Sequence, residues 1–339
     1  MGVDLGKICE FKEIEIAGLA GKKIAVDAFN TIYQFLAIIR QRDGTPLMDH
    51  RGNVTSHLSG LFYRNARLLE AGVQPAFIFD GEPPKLKSKT ISKRGERKRE
   101  AQEKYEKAKK AGDIKEARKH AQATSKIQPG MLDDSKELLT AMGIPWVQAP
   151  SEGEAQASYI CQEKDVWAVG SQDFDSLLFG APRLVRNITI TGKRKLPGRN
   201  FYIDIKPELI ELNPFLEELE ITREQLIDIG ILVGTDFNPG IKGIGPKKAL
   251  KLVTETGLDK AIEGGEIKPE IEPGLIREIF LKPEITKDYK LSWKPFDEGK
   301  IIELLHEKHD FSKERISNAL GKLEKTTHSK DQQSLDNWA

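Results

Sequence analysis

The chain has 339 residues, of which 38% are hydrophobic and 31% are charged, with a formal net charge of +1; this composition predicts a soluble globular protein with one large domain or two. It excludes a membrane protein, because no apolar run approaches the roughly 18 residues of a span. The two cysteines, Cys9 and Cys161, belong to no CxxC pair and the start lacks a signal-peptide layout, so we expect an intracellular protein without disulfides or a thiolate zinc site.

The first half of the chain alternates short apolar runs with helical patterns. KKIAVDAF (22–29) and QPAFIFDG (74–81) are typical of strands, and residues 55–71 between them carry helical periodicity. A helix that Gly143 ends, a strand in GIPWVQAP and a strand in DVWAVGSQDFD repeat the theme. Such alternation predicts an α/β fold with a mostly parallel, doubly wound sheet and helices on both faces. In that architecture ligands bind beyond the carboxyl ends of the strands.

Residues 82–128 interrupt this alternation with a strongly basic segment. Two prolines end the preceding strand, and two charged helical stretches follow, divided near Gly112-Asp113. From Lys85 to Lys126 there are 16 Lys and Arg against 6 Asp and Glu, which gives this segment a charge of +10 and leaves −9 for the remainder. We predict an inserted helical arch that stands off the core and binds a polyanion. A solvated helix pair held by salt bridges is the alternative.

Carboxylates follow the predicted strands, several of them in pairs. Each could instead be a turn residue or a helix cap; SEGE at 151–154, for example, fits a capping box. A helix needs one capping acid, however, whereas this chain repeatedly supplies two. Hard oxygen ligands without His or Cys indicate Mg²⁺ or Mn²⁺, and two such ions about 4 Å apart can activate a water for phosphodiester hydrolysis. We therefore predict one shared metal site for seven acids: Asp27, Asp80, Glu152, Glu154, Asp173, Asp175 and Asp236.

The segment GIKGIGPKKAL, residues 240–250, is the most specific motif. Gly243 and Gly245 fall in a predicted tight turn between two helices, and Pro246 opens the second helix, followed by Lys247 and Lys248. Backbone N–H groups at a helix start, together with lysines, form a phosphate site that does not depend on base sequence. The pattern predicts a helix-hairpin-helix that holds a DNA backbone; an ordinary αα-hairpin is the alternative.

Together these motifs resemble archaeal flap endonucleases of the structure-specific 5′ nuclease family. The resemblance runs over essentially the whole chain, through VDAFNTIYQFL, FIFDGEPPKLK, APSEGEAQASY, GSQDFDSLLFG, LVGTDFNPGIKGIGPKKAL and QQSLDNWA. It implies a PIN-like sheet and a Mg²⁺-dependent enzyme that cuts 5′ flaps where single-stranded DNA meets duplex, with 5′–3′ exonuclease activity. It also implies a two-metal mechanism, roles in Okazaki fragment maturation and base excision repair, and a monomer in the cytoplasm of an archaeal cell.

The resemblance also implies roles for individual residues. The seven acids match the family's metal ligands, for two Mg²⁺ ions that Mn²⁺ can replace, and a K⁺ ion is implied at the hairpin. Catalytic roles are implied for Asp173, Asp175 and a basic pair that contacts the scissile phosphate, Lys87 and Arg94. Gly2 is implied to be the mature amino terminus, close to the active site. DNA contacts are implied at Tyr33, Arg40, Arg64, Gly234, Gly243, Gly245, Lys247 and Lys248.

The end of the chain resembles a peptide that binds the sliding clamp, PCNA. Gln332, Leu335 and Trp338 have the anchor spacing, although Ala339 stands where a second aromatic anchor is usual. Before it, residues from about 259 to 326 are predicted to be mainly helical, and the polar end itself to lack regular structure. The implied regions are an N-terminal nuclease region (1–98), the basic arch (99–128, beginning near 85), an internal nuclease region with the hairpin (129–258), a C-terminal helical DNA-binding region (259–328) and the clamp-binding tail (329–339).

Two other functions compete with this hypothesis. A small-molecule phosphohydrolase with an aspartyl nucleophile needs D-x-D directly after the first strand, where this chain has Asp27, Ala28 and Phe29. A DNA-binding scaffold that recruits the clamp without cutting needs no acidic cluster. Release of a short labelled product from a 5′ flap with metal, but not with chelator, distinguishes the three.

Overall fold

A seven-stranded sheet forms the centre of the fold. The computed structural model describes residues 2–189, 192–195 and 202–336. Its strands are β1 Lys12–Glu13, β2 Lys23–Asp27, β3 Gln74–Phe79, β4 Trp146–Gln148, β5 Ala168–Gly170, β6 Arg183–Arg186, β7 Gly192–Lys195, β8 Tyr202–Ile205 and β9 Glu208–Glu211. The sheet order is β1-β9-β6-β5-β2-β3-β4, with β7 and β8 forming a separate antiparallel pair. From β6 to β4 all neighbours are parallel, and only β9 and β1 are added antiparallel.

Helices connect these strands and form the C-terminal part of the chain. They are α1 Ala28–Ile38, α2 Ser56–Glu70, α3 Ser88–Lys110, α4 Ile114–Ala121, α5 Met131–Ala141, α6 Gly153–Gln162, α7 Asp175–Leu178, α8 Leu212–Glu218, α9 Arg223–Val233, α10 Pro246–Glu255, α11 Leu258–Glu263, α12 Pro273–Leu281, α13 Glu298–Ile302 and α14 Lys313–Asp336. A π-helical stretch, Glu303–Lys308, follows α13. None of the described helices combines the length and the apolar character that crossing a bilayer requires.

Each face of the sheet supports its own hydrophobic core. On β2, Ile24 and Val26 contribute to one core and Ala25 to the other, because successive side chains of a strand point to opposite faces. The first core includes residues of α1, α2, α5, α13 and α14, and the second includes residues of α6 to α12. Helices therefore cover both faces of a mostly parallel sheet, which confirms the predicted doubly wound α/β fold.

The basic segment forms the predicted inserted arch of two helices, α3 and α4. Gly112 has a φ of 72°, and Asp113 accepts a hydrogen bond from Glu116 N at 3.0 Å as the cap of α4, so the chain reverses where the sequence predicted. Among the described side chains of the arch, Tyr105, Ala117 and Ala121 form a small apolar cluster. The charged helical character and the meagre core agree with the composition.

Of two predictions for the C-terminal third, the mainly helical character of residues 259–326 is confirmed, whereas the irregular polar end is wrong. Residues 282–297 form no helix; instead Trp293 Nε1 donates to Pro75 O at 2.8 Å and Lys294 N to Gly143 O at 3.0 Å, which ties this segment to the core. The polar end, predicted to be irregular, continues α14 as far as Asp336, since neither Pro nor Gly follows Gly321 to end the helix. The backbone of Gln332 and Leu335 falls in this helix, whereas Trp338 and Ala339 lie outside the described residues.

Candidate active site

The carboxyl ends of three neighbouring strands bring acids to one edge of the sheet. Asp27 is the last residue of β2, Asp80 follows β3, and Asp173 and Asp175 follow β5. Strand β2 lies between β3 and β5 and is parallel to both, so these ends meet. Glu152 and Glu154 arrive on the first turn of α6, which Gly153 N attaches to Asp80 Oδ1 at 2.7 Å. Asp236 reaches the same edge from the loop after α9.

These seven acids lie close enough together to affect one another's ionisation, and we call the group the carboxylate pocket. Burial raises the pKa of Asp27 well above its usual range, and the charges of Asp80 and Asp173 raise it further. Burial likewise raises the pKa of Glu154, with Asp175 the next cause. For Asp175, burial and then the neighbouring acids bring the pKa to about 7. The convergence that the sequence predicted is present, and its cost is visible in these pKa values.

Neutral groups hold the carboxylates in place. Asp27 Oδ1 accepts from Asn30 N at 3.0 Å, and the Asn30 side-chain Nδ2 donates to Asp173 Oδ2 at 3.0 Å. Glu154 Oε1 accepts from Ser171 Oγ at 2.7 Å and from Ser176 Oγ at 3.1 Å. Sequence reasoning missed these partners, although all three lie within five residues of a predicted ligand, at positions where a helix or loop begins.

The amino terminus closes one side of the pocket. Val3 N donates to Asp175 Oδ1 at 2.7 Å, and a Cβ added at Gly2 would lie 2.5 Å from the carboxyl atoms of Asp175. A side chain at position 2 would therefore displace a buried carboxylate. Gly2 lies close to the carboxylate pocket, as the resemblance implied.

The capping alternative for the acids holds at one position only. Asp27 does cap α1. The capping box at 151–154 does not form: Ser151 Oγ donates to Glu82 O at 3.0 Å, and Glu154 turns inward to the serines. Asp175 begins α7 without a side-chain cap. Capping therefore explains one acid of the seven.

Two basic residues from the base of the arch reach into the carboxylate pocket. Lys87 Nζ bonds to Glu152 and lies 3.4 Å from Asp236 Oδ2, while Arg94 Nη2 bonds to Asp236 Oδ1. Burial opposes the charge on Lys87, but Glu152 and Asp236 outweigh it and raise its pKa. Burial also acts against ionised Asp236, yet Lys87 and Arg94 help to lower its pKa below the usual value. Lys87 and Arg94 thus supply part of the positive charge that offsets the repulsion among the acids, which the sequence led us to expect from metal ions alone.

The donor set of the pocket fits a hard divalent cation. It consists of carboxylate oxygens, held by neutral hydrogen-bond donors, with no His or Cys among the predicted ligands. Within the described ranges, no three His, Cys, Asp or Glu side chains are grouped closely enough to form a ready coordination shell. Lys87 instead lies between two of the acids. The seven acids of the carboxylate pocket could hold divalent ions once the Lys87 side chain moves away from Glu152 and Asp236.

The predicted DNA-contacting residues outside the hairpin lie near the arch or on the neighbouring helices. Tyr33 on α1 is half-buried, with Lys98 Nζ of the arch 4.2 Å from its ring centroid. Arg64 is half-buried on α2. Arg40 donates to Leu36 O at 2.8 Å, to Gly44 O at 2.9 Å and to Ser125 Oγ at 3.1 Å. These bonds link Arg40 to the end of the arch, and its contact with DNA stays a prediction.

The hairpin forms between α9 and α10 as the motif predicted. Gly234 has a φ of 108°, and a Cβ there would lie 3.0 Å from the backbone of Pro239. Gly243, with a φ of 85°, is exposed, and Gly245 is the N-cap residue of α10 with Pro246 in its first turn. Exposed on the same turn, Lys248 donates to Gly243 O at 3.2 Å, and its neighbour Lys247 is also exposed. The two turn glycines and the two lysines are thus exposed together.

Comparison with known proteins agrees with this architecture. The XPG N-terminal domain family matches residues 4–101, and the XPG I-region family matches residues 143–236. These two stretches contribute all seven acids of the carboxylate pocket and define the chain as a structure-specific nuclease.

Full-length relatives narrow the family. The chain is 54% identical to flap endonuclease 1 of Thermococcus onnurineus, over 100% of this chain and 99% of the relative, and 55% identical to that of Pyrococcus abyssi, over 100% and 98%. The solved structure of flap endonuclease-1 from Methanococcus jannaschii superimposes with a TM-score of 0.76 at 45% identity, covering 97% of this chain and 100% of that one. The chain belongs to the flap endonuclease 1 family.

Proposed function

We propose that this protein hydrolyses phosphodiester bonds of branched DNA at 5′ flaps, with accompanying 5′–3′ exonuclease activity, in a reaction that requires two Mg²⁺ ions. The observation that carries the proposal is the meeting of seven acids at one edge of the sheet, where Lys87 and Arg94 from the base of the basic arch bond to two of them. A carboxylate cluster of this density is costly without cations, and an arch with a charge of +10 has a polyanion as its natural ligand.

Binding is proposed to start at the hairpin. Exposed N–H groups at the start of α10, with Lys247 and Lys248, would hold a duplex backbone phosphate, and a K⁺ ion would add to this site. The arch would receive the single-stranded 5′ end. Tyr33, at the base of the arch, would offer its ring for stacking by a base next to the cleaved bond.

Catalysis is proposed to use the acids as holders of the metal ions. Paired divalent ions, when bound, supply activation of a water and charge stabilisation at the leaving oxygen. Asp27, Asp80 and Glu152 would hold mainly one ion, and the remaining four acids mainly the other. Lys87 and Arg94 already lie at the pocket and would stabilise negative charge that develops on the scissile phosphate.

The cellular role follows from that reaction. Removing 5′ flaps leaves a nick that can be ligated, so we propose roles in Okazaki fragment maturation and base excision repair, in an archaeal cytoplasm and as a monomer. The tail is proposed to bind the sliding clamp PCNA through Gln332, Leu335 and Trp338. The five regions set out from the sequence are proposed as the functional divisions of the chain.

The test is a cleavage assay on a 5′-labelled flap. We expect a short labelled product with Mg²⁺ or Mn²⁺ and none with chelator, and a faster reaction on a flap than on single-stranded or blunt duplex DNA. A product that forms equally well in chelator would contradict the metal mechanism. Binding of flap without any product would favour the scaffold alternative.

A further inference from the structure

Asn30 contacts two acids of the carboxylate pocket that belong to different strands. At the third position of α1, its backbone N–H donates to Asp27 Oδ1 at 3.0 Å. Its side-chain Nδ2 donates to Asp173 Oδ2, also at 3.0 Å, across a separation of 143 residues. One residue therefore connects the end of β2 with the loop after β5 and fixes how the two carboxylates face each other.

An amide suits this position for a chemical reason. Lys87 and Arg94 also bond to acids of the pocket, but their positive charges compete with a divalent cation for the same oxygens. The Asn30 amide is neutral, so it can orient Asp173 without cancelling the charge that attracts a cation. Groups that orient a metal ligand from outside typically change metal affinity or activity 10–100-fold when they are removed.

We propose that Asn30 is a positioning residue for the nuclease reaction, which orients Asp173 relative to Asp27 so that both carboxylates can hold divalent ions. The inference rests on the proposed function, in which both acids bind metal. Because Asn30 acts through these acids, its loss is expected to weaken metal binding and slow cleavage while leaving the affinity for flap DNA unchanged.

Two variants separate this role from an effect on folding. Asn30→Ala removes the amide. Asn30→Leu keeps the approximate size of the side chain and suits a helix, but it removes the donor to Asp173 without adding a charge. Gln34→Ala is the matched control, since Gln34 lies one turn later on α1 and its amide oxygen accepts from Thr189 Oγ1 at 2.7 Å instead of contacting an acid.

Three measurements on the full chain test the proposal: Mn²⁺ binding by calorimetry without DNA, single-turnover cleavage with Mg²⁺, and flap affinity in chelator. We expect both Asn30 variants to bind Mn²⁺ and to cleave about 10–100-fold less well than wild type, with flap affinity unchanged, and Gln34→Ala to behave as wild type. Asn30 variants that match Gln34→Ala in Mn²⁺ affinity and cleavage rate would overturn the proposal. Wild-type protein that cleaves without metal would overturn the proposed function, and this inference with it.

Discussion

The carboxylate pocket and the hairpin are both assigned to DNA, yet they are built in opposite ways. The pocket collects acids from position 27 to position 236, and Asp27, Asp175 and Asp236 are at most 8% exposed. The hairpin uses residues 234–248, and its lysines are exposed. A buried set of like charges depends on the whole sheet and needs compensation, whereas an exposed loop depends on local glycines and needs none. The two regions should therefore respond differently to mutation, metal and salt.

Removing one acid from the pocket should have the largest effect on activity. We expect Asp173→Ala to slow flap cleavage at least about 10³-fold. A bound divalent ion lowers the free energy of the transition state by several kcal/mol, and each 1.4 kcal/mol is a factor of ten in rate. Flap affinity should stay largely intact, because the hairpin and arch are unchanged. Single-turnover cleavage and fluorescence anisotropy check this, with Asp133→Ala, an exposed acid on α5, as the control. Equal losses of binding and cleavage would contradict a catalytic role.

Substituting Lys87 tests whether its positive charge offsets the repulsion among the acids of the carboxylate pocket. Lys87→Met keeps the length of the stem and removes the charge next to Glu152 and Asp236. Cleavage should fall about 10²–10³-fold, as for other groups that stabilise developing charge.

The same substitution should lower the melting temperature of metal-free protein, and Mg²⁺ should restore part of the loss, because the ions replace the missing positive charge. Thermal unfolding with and without Mg²⁺ measures both effects. Lys85→Met is the control, since Lys85 is exposed on the same turn. A loss of stability that Mg²⁺ does not reduce would show that Lys87 acts only through packing.

The different construction of the two regions also decides what the sequence could predict. The fold of the hairpin was predicted, because its glycines, its proline at the start of α10 and its lysines are neighbours in the chain. Six of the acids were predicted because they follow apolar runs that become parallel strands, and such strands end at one edge; Asp236 was added because it lies directly before the hairpin motif. The doubly wound sheet followed from the same alternation.

What the sequence did not predict depends on contacts between distant residues. The bond from Asn30 to Asp173 spans 143 residues, and no local pattern distinguishes this asparagine from an ordinary one in a helical first turn. Strands β6 and β9 are only four residues each, and neither has an apolar run as clear as the one that predicted β2. Residues 282–297 lie within the stretch predicted to be mainly helical, but they form an irregular segment that hydrogen bonds to Pro75 and Gly143 attach to the core.

A single hairpin lysine should have a smaller effect, confined to binding. We expect Lys247→Ala to weaken flap binding several-fold at every base sequence and to reduce the slope of log affinity against log salt by about 1, as the loss of one phosphate contact predicts. Thermal stability should not change, because the side chain is exposed. Anisotropy titrations between about 50 and 200 mM salt measure the slope. Lys251→Ala, one turn further on α10, is the control; an equal change in both variants would argue against a specific phosphate site.

The smallest effect is expected at a third site, where opposite charges are paired without any metal. His309, 9% exposed, lies between Asp49 Oδ2 at 3.2 Å and Asp134 Oδ2 at 3.6 Å and joins the start of α14 to the core. The ion pair with Asp134 raises the pKa of His309, against the effect of burial. Burial acts against the charge on Asp49, but hydrogen bonds from Asn53 and His309 bring its pKa down to about 2.

The sign of the pH dependence follows from these shifts. Because the folded pKa of His309 is above its unfolded value of about 6.5, its stabilisation is complete below that pH and is lost as pH rises through the folded pKa. The paired acids keep their contribution down to about pH 4. We expect the free energy of unfolding to fall between pH 6 and pH 8.5 in wild type and to change less in His309→Gln. Denaturant unfolding at several pH values, with and without Mg²⁺, checks this: since no acid of the carboxylate pocket takes part in the His309 pair, Mg²⁺ should leave the difference between the two proteins unchanged, and a difference that disappears with Mg²⁺ would place its origin in the pocket instead.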